Sequence, residues 1–179
     1  VEKNLVCYSY SDQGDLIAVQ DKDGVTIREF SYQQHMMVAQ RLAAGLQCYY
    51  EWDKLESTGR VIRHWMDDGE NYQFLYGSPD ESGTYEVTCI DNLNAKQHWV
   101  CNKDKNVLAY TNPLGQVHRF EWSTWRLLTA YVTPQQERYS FAFDGRGQLA
   151  SVTNPLGLVT RAMWEDRFGL ISMVVEPDG

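Results

Sequence analysis

The sequence predicts an all-β protein, in which tandem hairpins form a curved antiparallel sheet. Three observations support this fold class: a recurring phrase, turn glycines at a nearly constant spacing, and repeated pairs of aromatic residues. Residues 106–122 read NVLAYTNPLGQVHRFEW and residues 148–164 read QLASVTNPLGLVTRAMW. Self-similarity at a fixed period of about 20–50 residues is typical of repeat architectures. The chain is therefore interpreted as an array of one short β unit.

Turn positions define the period of the array, with successive positions 20 to 26 residues apart. The position holds glycine in most units and Ala95 or Gln136 in the other two; the glycines are Gly24, Gly45, Gly69, Gly115, Gly157 and Gly179. Pro113 and Pro155 fit the second residue of a four-residue turn, because proline presets φ there. About eight units then occupy residues 1–179, and we expect the chain to be a fragment of a longer array.

Each unit combines an aromatic-x-aromatic strand with a Leu-x-x-Val strand. In the seventh unit Phe141 and Phe143 precede the turn at 144–147, and Leu149 and Val152 follow it. Aromatic and β-branched residues suit pleated strands, and glycine supplies the positive φ that hairpin turns need. The alternating aromatic residues are Tyr8, Tyr10, Phe30, Tyr32, Tyr50, Trp52, Phe74, Tyr76, Phe120, Trp122, Phe141 and Phe143.

These aromatic residues have a structural and a functional interpretation. As cross-strand pairs, each would stabilise the sheet by about 0.2–1 kcal/mol. As an exposed surface, they would stack on sugars or hold a non-native polypeptide. Recurrence at the repeat period favours the structural interpretation.

One stretch, residues 33–46, has apolar residues at helical spacing as well as a place in the repeat. The repeat equates Met36 and Val38 with the Leu-x-x-Val strand and Gly45 with the turn. Because tertiary context often overrides local helix propensity, we predict a strand here.

Composition argues against two classes of partner. The formal net charge is −8 and the pI is about 4.9, whereas nucleic-acid and anionic membrane surfaces attract basic proteins. No apolar run approaches the ~20 residues of a membrane-spanning helix. Phosphate-binding loops, dinucleotide fingerprints and nucleophile elbows are absent from the sequence, so no cofactor is expected.

Isolated reactive residues favour structural roles. Cys7, Cys48, Cys89 and Cys101 lack C-x-x-C spacing and are expected to be small buried residues in a reducing compartment. A hairpin centred on Ala95 would place two of them, Cys89 and Cys101, opposite each other. A disulfide between these two residues therefore stays an alternative. His35, His64, His98 and His118 are scattered, and His118 is expected to share a face with Phe120.

The acidic residues 67–70 and 80–81 lack the ligand ladder of a calcium loop and are expected to be solvated turns. Carboxylates that converge only in space would escape detection by sequence, so a cryptic hydrolytic site in the sheet's concavity stays a weaker alternative. No metal site and no enzyme activity are predicted.

The units resemble YD repeats of the RHS (rearrangement hotspot) family. The motif Tyr-Asp-x-x-Gly-x-Leu-x-x-Val-x-Asp-x-x-Gly is matched by FDGRGQLASVTNPLG at 143–157, and YEWD at 50–53 leads to GRVI at 59–62. The resemblance covers essentially the whole chain. It implies a β-sheet ribbon that winds into a hollow shell around a C-terminal toxin domain, as in type VI secretion effectors and Tc toxins, with related shells in teneurins.

The resemblance implies a non-catalytic wall segment whose partners are the rest of the shell and its enclosed toxin. It also implies a bacterial cytoplasmic location before export as part of a larger effector, and self-association of the isolated piece through exposed sheet edges. The family's aspartyl autocleavage segment is not found, since Asn112-Pro113 and Asn154-Pro155 carry Asn where its carboxylates would be. The alternative function is a carbohydrate- or cell-surface-binding module that uses exposed aromatic residues.

Overall fold

A computed structural model of the protein describes residues 5–177, which form sixteen β-strands and no helix. The order of the strands in the antiparallel sheet is their order along the chain. The strands are β1 Val6–Tyr10, β2 Leu16–Asp21, β3 Thr26–Gln33, β4 Met36–Leu42, β5 Gln47–Trp52, β6 Val61–Met66, β7 Asn71–Tyr76, β8 Tyr85–Asp91, β9 Lys96–Cys101, β10 Val107–Thr111, β11 Val117–Trp122, β12 Leu128–Val132, β13 Arg138–Phe143, β14 Leu149–Thr153, β15 Val159–Trp164 and β16 Ile171–Val175. The predicted all-β fold of tandem antiparallel hairpins is confirmed.

The chain divides into two compact units. The first contains the residues up to Leu75 together with Thr88–Lys96, and the second contains Tyr76–Val87 and the residues from Gln97 onward. In the first unit β1 to β7 pair in sequence, and in the second β9 to β16 do so. Residues 5–177 contain no helix that is long and apolar enough to cross a membrane.

Twelve turns among the described residues share one hydrogen-bonding scheme, which the turn at Asn154 illustrates. The Gly157 N–H donates to the Asn154 carbonyl at 2.9 Å, and the Asn154 N–H donates to the Leu158 carbonyl at 2.9 Å. The Asn154 Oδ1 accepts the N–H groups of Leu156 and Leu158 at 3.0 and 2.9 Å. The side chain thus holds the backbone in the turn, which explains the asparagine in Asn-Pro-Leu-Gly.

The same double acceptance by a side-chain oxygen recurs at the first residue of eight further turns. These residues are Ser11, Asp21, Asp80, Asp91, Asn102, Asn112, Ser123 and Asp144. Asp, Asn and Ser are therefore selected by turn geometry, and a carboxylate at this position is already occupied by backbone N–H groups.

The fourth residue of the four-residue turns along the array takes the left-handed conformation. Gly24, Gly45, Gly69, Gly115 and Gly157 have φ between 78° and 97°. Gln136 has φ of 67° at the equivalent place, but the prediction for Ala95 is wrong, because the positive φ of 61° belongs to Asn94. Asparagine tolerates this conformation because its side chain bonds locally, whereas alanine has no such compensation. Gly179 lies outside the described residues.

A β-bulge explains why Leu-x-x-Val is paired with aromatic-x-aromatic. In the hairpin of β13 and β14, Phe141 pairs with Val152 and Phe143 pairs with Leu149, while Ala150 is left without a partner position. Residues three apart on β14 therefore oppose residues two apart on β13. The extra residue occurs at the same place in seven hairpins, at Ile17, Val38, Ile62, Leu108, Thr129, Ala150 and Ser172. A bulge bends its strand and increases the local twist.

The ambiguous stretch at 33–46 forms β4 and its flanking turns, so the strand prediction is confirmed. The predicted register within the strand is wrong, because Met37 rather than Met36 takes the Leu position opposite Tyr32 and Gln40 takes the Val position opposite Phe30. Val38 is instead the extra residue of the bulge. The preceding turn has two residues, Gln34 and His35, with φ of 49° and 65°. Positive φ at both residues marks a two-residue hairpin turn that nothing in this sequence signals.

The sheet has almost no fully enclosed core. Only four described residues are buried, and all are small: Cys48, Cys89, Cys101 and Ala130. The larger apolar side chains remain partly exposed, as expected when they pack against neighbours on one face with no second layer above them. The expected burial of three of the cysteines is confirmed, and their thiols are free.

Two opposite changes at the turn position test the turn assignment. Gly157 has φ of 80°, and a β-carbon at this position would meet no atom within 4 Å. Gly157→Val therefore costs only backbone strain, about 1–2 kcal/mol of unfolding free energy. Gln136→Gly relieves the same backbone strain and should raise the unfolding free energy by about 0.5–1 kcal/mol. Urea denaturation measures both, with Glu137→Gly as the control that should lose stability. A Gly157→Val variant as stable as the parent chain would contradict the assignment.

Candidate functional site

A continuous aromatic ladder covers one face of the second unit, from β9 to β13. The rings of Trp99 and Tyr110 lie 5.3 Å apart, and those of Tyr110 and His118 lie 5.7 Å apart. His118 then stacks on Tyr131 at 5.8 Å, and Tyr131 contacts Tyr139 at 6.1 Å. Each of the five strands contributes one ring to this ladder, and the face on which the ladder lies is called the aromatic face below.

Polar atoms within the ladder bond to one another. The Tyr110 hydroxyl donates to Gln97 Oε1 at 2.9 Å, and His118 Nδ1 lies 2.7 Å from the Tyr131 hydroxyl. Phe120 stacks on the same Tyr131 ring at 5.5 Å. His118 therefore shares a face with Phe120, as the strand alternation indicates, and acts as a ring of the ladder.

An open apolar hollow of about 400 Å³ lies on the aromatic face of the second unit. Its lining comes from four neighbouring strands and consists of Trp99, Val107, Tyr110, Phe120, Trp122 and Leu128. All of these are half-buried or better. The Tyr110 phenol is the ionisable group of this lining and the other lining side chains are apolar, so the hollow suits apolar side chains.

Tryptophan side chains tie neighbouring strands together at the bulged ends. The Trp122 Nε1–H donates to the Val107 carbonyl at 2.7 Å. Trp52 and Trp164 make the same bond to Met37 and Leu149, each at 2.8 Å. All three bonds span fifteen residues, so this is a structural bond that recurs with the repeat.

The first unit carries a shorter version of the ladder. His64 lies between Tyr50 and Tyr72, with ring distances of 4.9 and 6.1 Å. Gln40 Nε2 donates to the Tyr50 hydroxyl at 2.6 Å. Burial raises the pKa of Tyr50, and the negative charge of Glu70 raises the pKa of Tyr72. Both phenols are therefore neutral hydrogen-bonding groups at ordinary pH.

On the second unit, an ion pair lies on the face opposite the aromatic face. Arg138 on β13 contacts Glu121 on β11 through two hydrogen bonds of 2.5 and 2.8 Å. The pair spans the intervening strand β12, where Ala130 has no exposed surface. Hydrogen bonds from Arg138 lower the pKa of Glu121. The pair thus stabilises the fold above the ordinary carboxyl pKa, and this contribution is lost as the pH falls through the lowered value.

The buried thiols are poorly suited to nucleophilic chemistry. Burial raises the pKa of Cys48, Cys89 and Cys101, with the carboxylates of Asp68 and Asp67 adding to the effect at Cys48. A nucleophilic cysteine needs the opposite shift, toward the thiolate. Among residues 5–177 no cluster of three or more His, Cys, Asp or Glu side chains has the geometry of a metal site.

The predicted aromatic residues lie on strands, and the predicted turn residues lie at strand ends. Tyr8 and Tyr10 on the outermost strand β1 are 60% and 61% exposed. The remaining ones are half-buried: Phe30, Tyr32, Tyr50, Trp52, Phe74, Tyr76, Phe120, Trp122, Phe141 and Phe143. The turn residues Gly24, Gly45, Gly69, Pro113, Gly115, Pro155 and Gly157 are away from the ladder.

Sequence reasoning missed several rings of the ladder. Tyr110, Tyr131 and His64 take the Val position of Leu-x-x-Val, each three residues after an apolar partner of the bulge. Trp99 is the first residue of the aromatic pair on β9, and Cys101 stands two residues later where the second aromatic residue is expected. The three-residue spacing could have identified the first group, but only with knowledge of the bulge.

Comparison with known proteins supports what the repeat pattern implies. The chain is 31% identical over 160 residues, 88% of its length, to the toxin protein Tse5 of Pseudomonas aeruginosa. The chain belongs to the RHS, or YD-repeat, family. This RHS segment is also 35% identical over 71 residues to double-stranded DNA deaminase toxin A of Burkholderia cenocepacia. It spans 10% of the length of Tse5 and 5% of that of the deaminase toxin.

Solved structures of Tc toxin components also match the RHS segment, at low identity. The Photorhabdus luminescens Tc holotoxin pore matches with a TM-score of 0.43 and 9% identity, over 94% of this chain and 12% of the other. The TcdB2-TccC3-Cdc42 structure matches with a TM-score of 0.44, 9% identity and the same coverage. No protein-family model matches the chain.

Removing one indole donor tests the role of the repeated tryptophan bond. Trp122→Phe keeps an aromatic ring but leaves the Val107 carbonyl without its 2.7 Å partner, so unfolding free energy should fall by about 1–3 kcal/mol. The matched control is Trp125→Phe at a turn residue that is 84% exposed, which should change stability by less than about 0.5 kcal/mol. Equal effects of the two changes in urea denaturation would contradict a structural role for Trp122.

Proposed function

We propose that this chain is a non-catalytic segment of an RHS-repeat shell that encapsulates and protects a C-terminal toxin domain. The observation that carries the proposal is the uncovered aromatic face. The described residues include a five-ring ladder and an apolar hollow, yet only four of them are buried. A single layer with such a face needs a cover, and an enclosed polypeptide supplies one.

The two faces of the second unit suit the two sides of a wall. The aromatic face is largely apolar, and the Tyr110 hydroxyl, His118 Nδ1 and the Tyr131 hydroxyl already bond to side chains of the sheet. A non-native chain can therefore contact these rings without competing for those atoms. The opposite face presents charged groups such as Arg119, Glu121 and Arg138, all exposed. Together with the net charge of −8, they favour contact with water and keep the wall soluble.

The proposal includes no enzymatic step by this segment. The raised pKa of the buried thiols and the backbone-bonded carboxylates of the turns give no nucleophile and no acid–base pair. Similarity to segments of two toxin proteins favours a larger effector, held in a bacterial cytoplasm before its delivery. The rest of the shell and the toxin are then the partners of the segment, and residues 1–179 are one stretch of YD array.

Binding of an unfolded polypeptide separates the wall from a carbohydrate-binding module. The 179-residue chain should bind reduced, carboxymethylated α-lactalbumin in fluorescence anisotropy and should bind no sugar on a glycan array. Phe120→Leu should change the polypeptide affinity by less than about twofold, because contact with a non-native chain needs apolar area but no ring. Phe120→Asn should weaken it about tenfold.

The control is Glu121→Gln, which alters the neighbouring residue on the opposite face and should leave polypeptide binding unchanged. Sugar binding that is lost in Phe120→Leu would contradict the proposal, since sugars stack on a flat ring. That result would favour the carbohydrate-binding alternative.

A further inference from the structure

Each compact unit places one histidine ring inside its aromatic ladder. His64 in the first unit and His118 in the second each lie between two tyrosine rings, with centroid distances of 4.9 to 6.1 Å. Both imidazoles are half-buried. Among residues 5–177 no ion pair includes either of them, so their direct neighbours are rings and not charges.

The other two histidines lie beside carboxylates. His35 Nδ1 is 2.9 Å from Asp15 Oδ1, and His98 Nε2 is 3.8 Å from Glu86 Oε2. A carboxylate compensates the charge of a protonated imidazole, whereas a neutral ring does so only in part. Histidine is the side chain that ordinarily changes its charge between pH 5 and 8. In that range, protonation therefore adds an uncompensated charge mainly at the ladders.

The titratable groups that face His118 are phenols. Tyr110 lies beside it on β10 and Tyr131 lies beside it on β12. At the same edge of the sheet, the turn after β12 adds Glu137, which is exposed to solvent. The charged residues of β11 itself lie on the opposite face. A proton on His118 thus places a positive charge on a surface that otherwise consists of neutral rings.

His64 has a less uniform environment. Tyr50 on β5 and Tyr72 on β7 face it, and the Tyr72 hydroxyl donates to Glu70 Oε2 at 3.3 Å. The other charges that act on these two phenols are those of Arg28 and Asp91. Because carboxylates lie near this ladder, protonation of His64 should have a smaller effect than protonation of His118.

A protonated imidazole can keep its place in the ladder. His118 Nδ1 lies 2.7 Å from the Tyr131 hydroxyl, and a protonated ring donates to that oxygen. Tyrosine faces also attract a cation. The ion pair on the opposite face persists as well, because hydrogen bonds from Arg138 lower the pKa of Glu121. The sheet should therefore stay folded at pH 5.5 while its ladders gain charge.

We propose that protonation of His118 and His64 releases the enclosed polypeptide from the ladders, so that the segment holds its cargo at neutral pH and loosens it in acid. A polypeptide that covers a ladder removes water from the imidazole, and the charged form pays a far larger desolvation penalty than the neutral form. Contact therefore favours neutral imidazoles, and the affinity falls as the pH is lowered. The inference rests on the proposed function, because it concerns regulation of the same face.

Fluorescence anisotropy at pH 7.5 and 5.5, at equal ionic strength, tests the release. The probe is an uncharged peptide of glycine, serine, leucine and phenylalanine, labelled with tetramethylrhodamine, whose charge is constant in this range. The affinity of the parent chain should fall about five- to tenfold at the lower pH. His118→Gln should reduce the ratio of the two affinities to about twofold, and a further His64→Gln should bring it close to one, because glutamine does not titrate.

The matched control is His35→Gln in an exposed turn, which should keep the ratio of the parent chain. Far-UV circular dichroism at both pH values checks the fold, and a spectrum that changes between them would overturn the proposal, since release would then come from unfolding. Equal affinities of the parent chain at both pH values, or a parental ratio in His118→Gln, would overturn the release and leave the wall standing. Absence of binding at both pH values would contradict the wall and the release together.

Discussion

The recurring β-bulge is the constraint on which the rest of this structure depends. A strand alternates its side chains between two faces, so residues three apart normally point in opposite directions. The extra residue in each hairpin, Ala150 for example, brings Leu149 and Val152 to the same face as Phe141 and Phe143. Without it one apolar residue of each pair would leave the aromatic face. The bulge thus converts the YD sequence rule into a continuous apolar surface.

A sheet built this way is stabilised by neighbours within one layer. Stacked rings, the indole–carbonyl bonds at Trp52, Trp122 and Trp164, and turns held by Asp, Asn or Ser side chains replace the enclosed core of a layered domain. The consequence is an aromatic face that stays half-exposed. This open face connects the repeat pattern to the proposal of a wall around a polypeptide.

The sequence was sufficient for the hairpin order, the strand at 36–42 and most turn positions, because these follow from local chemistry: glycine at positive φ and asparagine as a backbone acceptor. It failed where one residue substitutes for another in a shared role. Asn94 replaces glycine one residue before Ala95, and Tyr110 and Tyr131 stand where valine is expected. It also could not reveal the two-residue turn at His35, because neither of its residues is a typical turn residue. A hollow at Trp125 was equally inaccessible, because two turns that are distant in sequence form it.

Deletion of Ala150 tests the bulge most directly. If the bulge sets the register, the deletion must move Leu149 or Val152 off the aromatic face and should lower the unfolding free energy by about 2 kcal/mol or more, measured by urea denaturation. Ala150→Ser, which keeps the residue count, should stay within about 0.5 kcal/mol of the parent chain. A deletion variant as stable as the parent would contradict the account, because the aromatic face would then not depend on the extra residue.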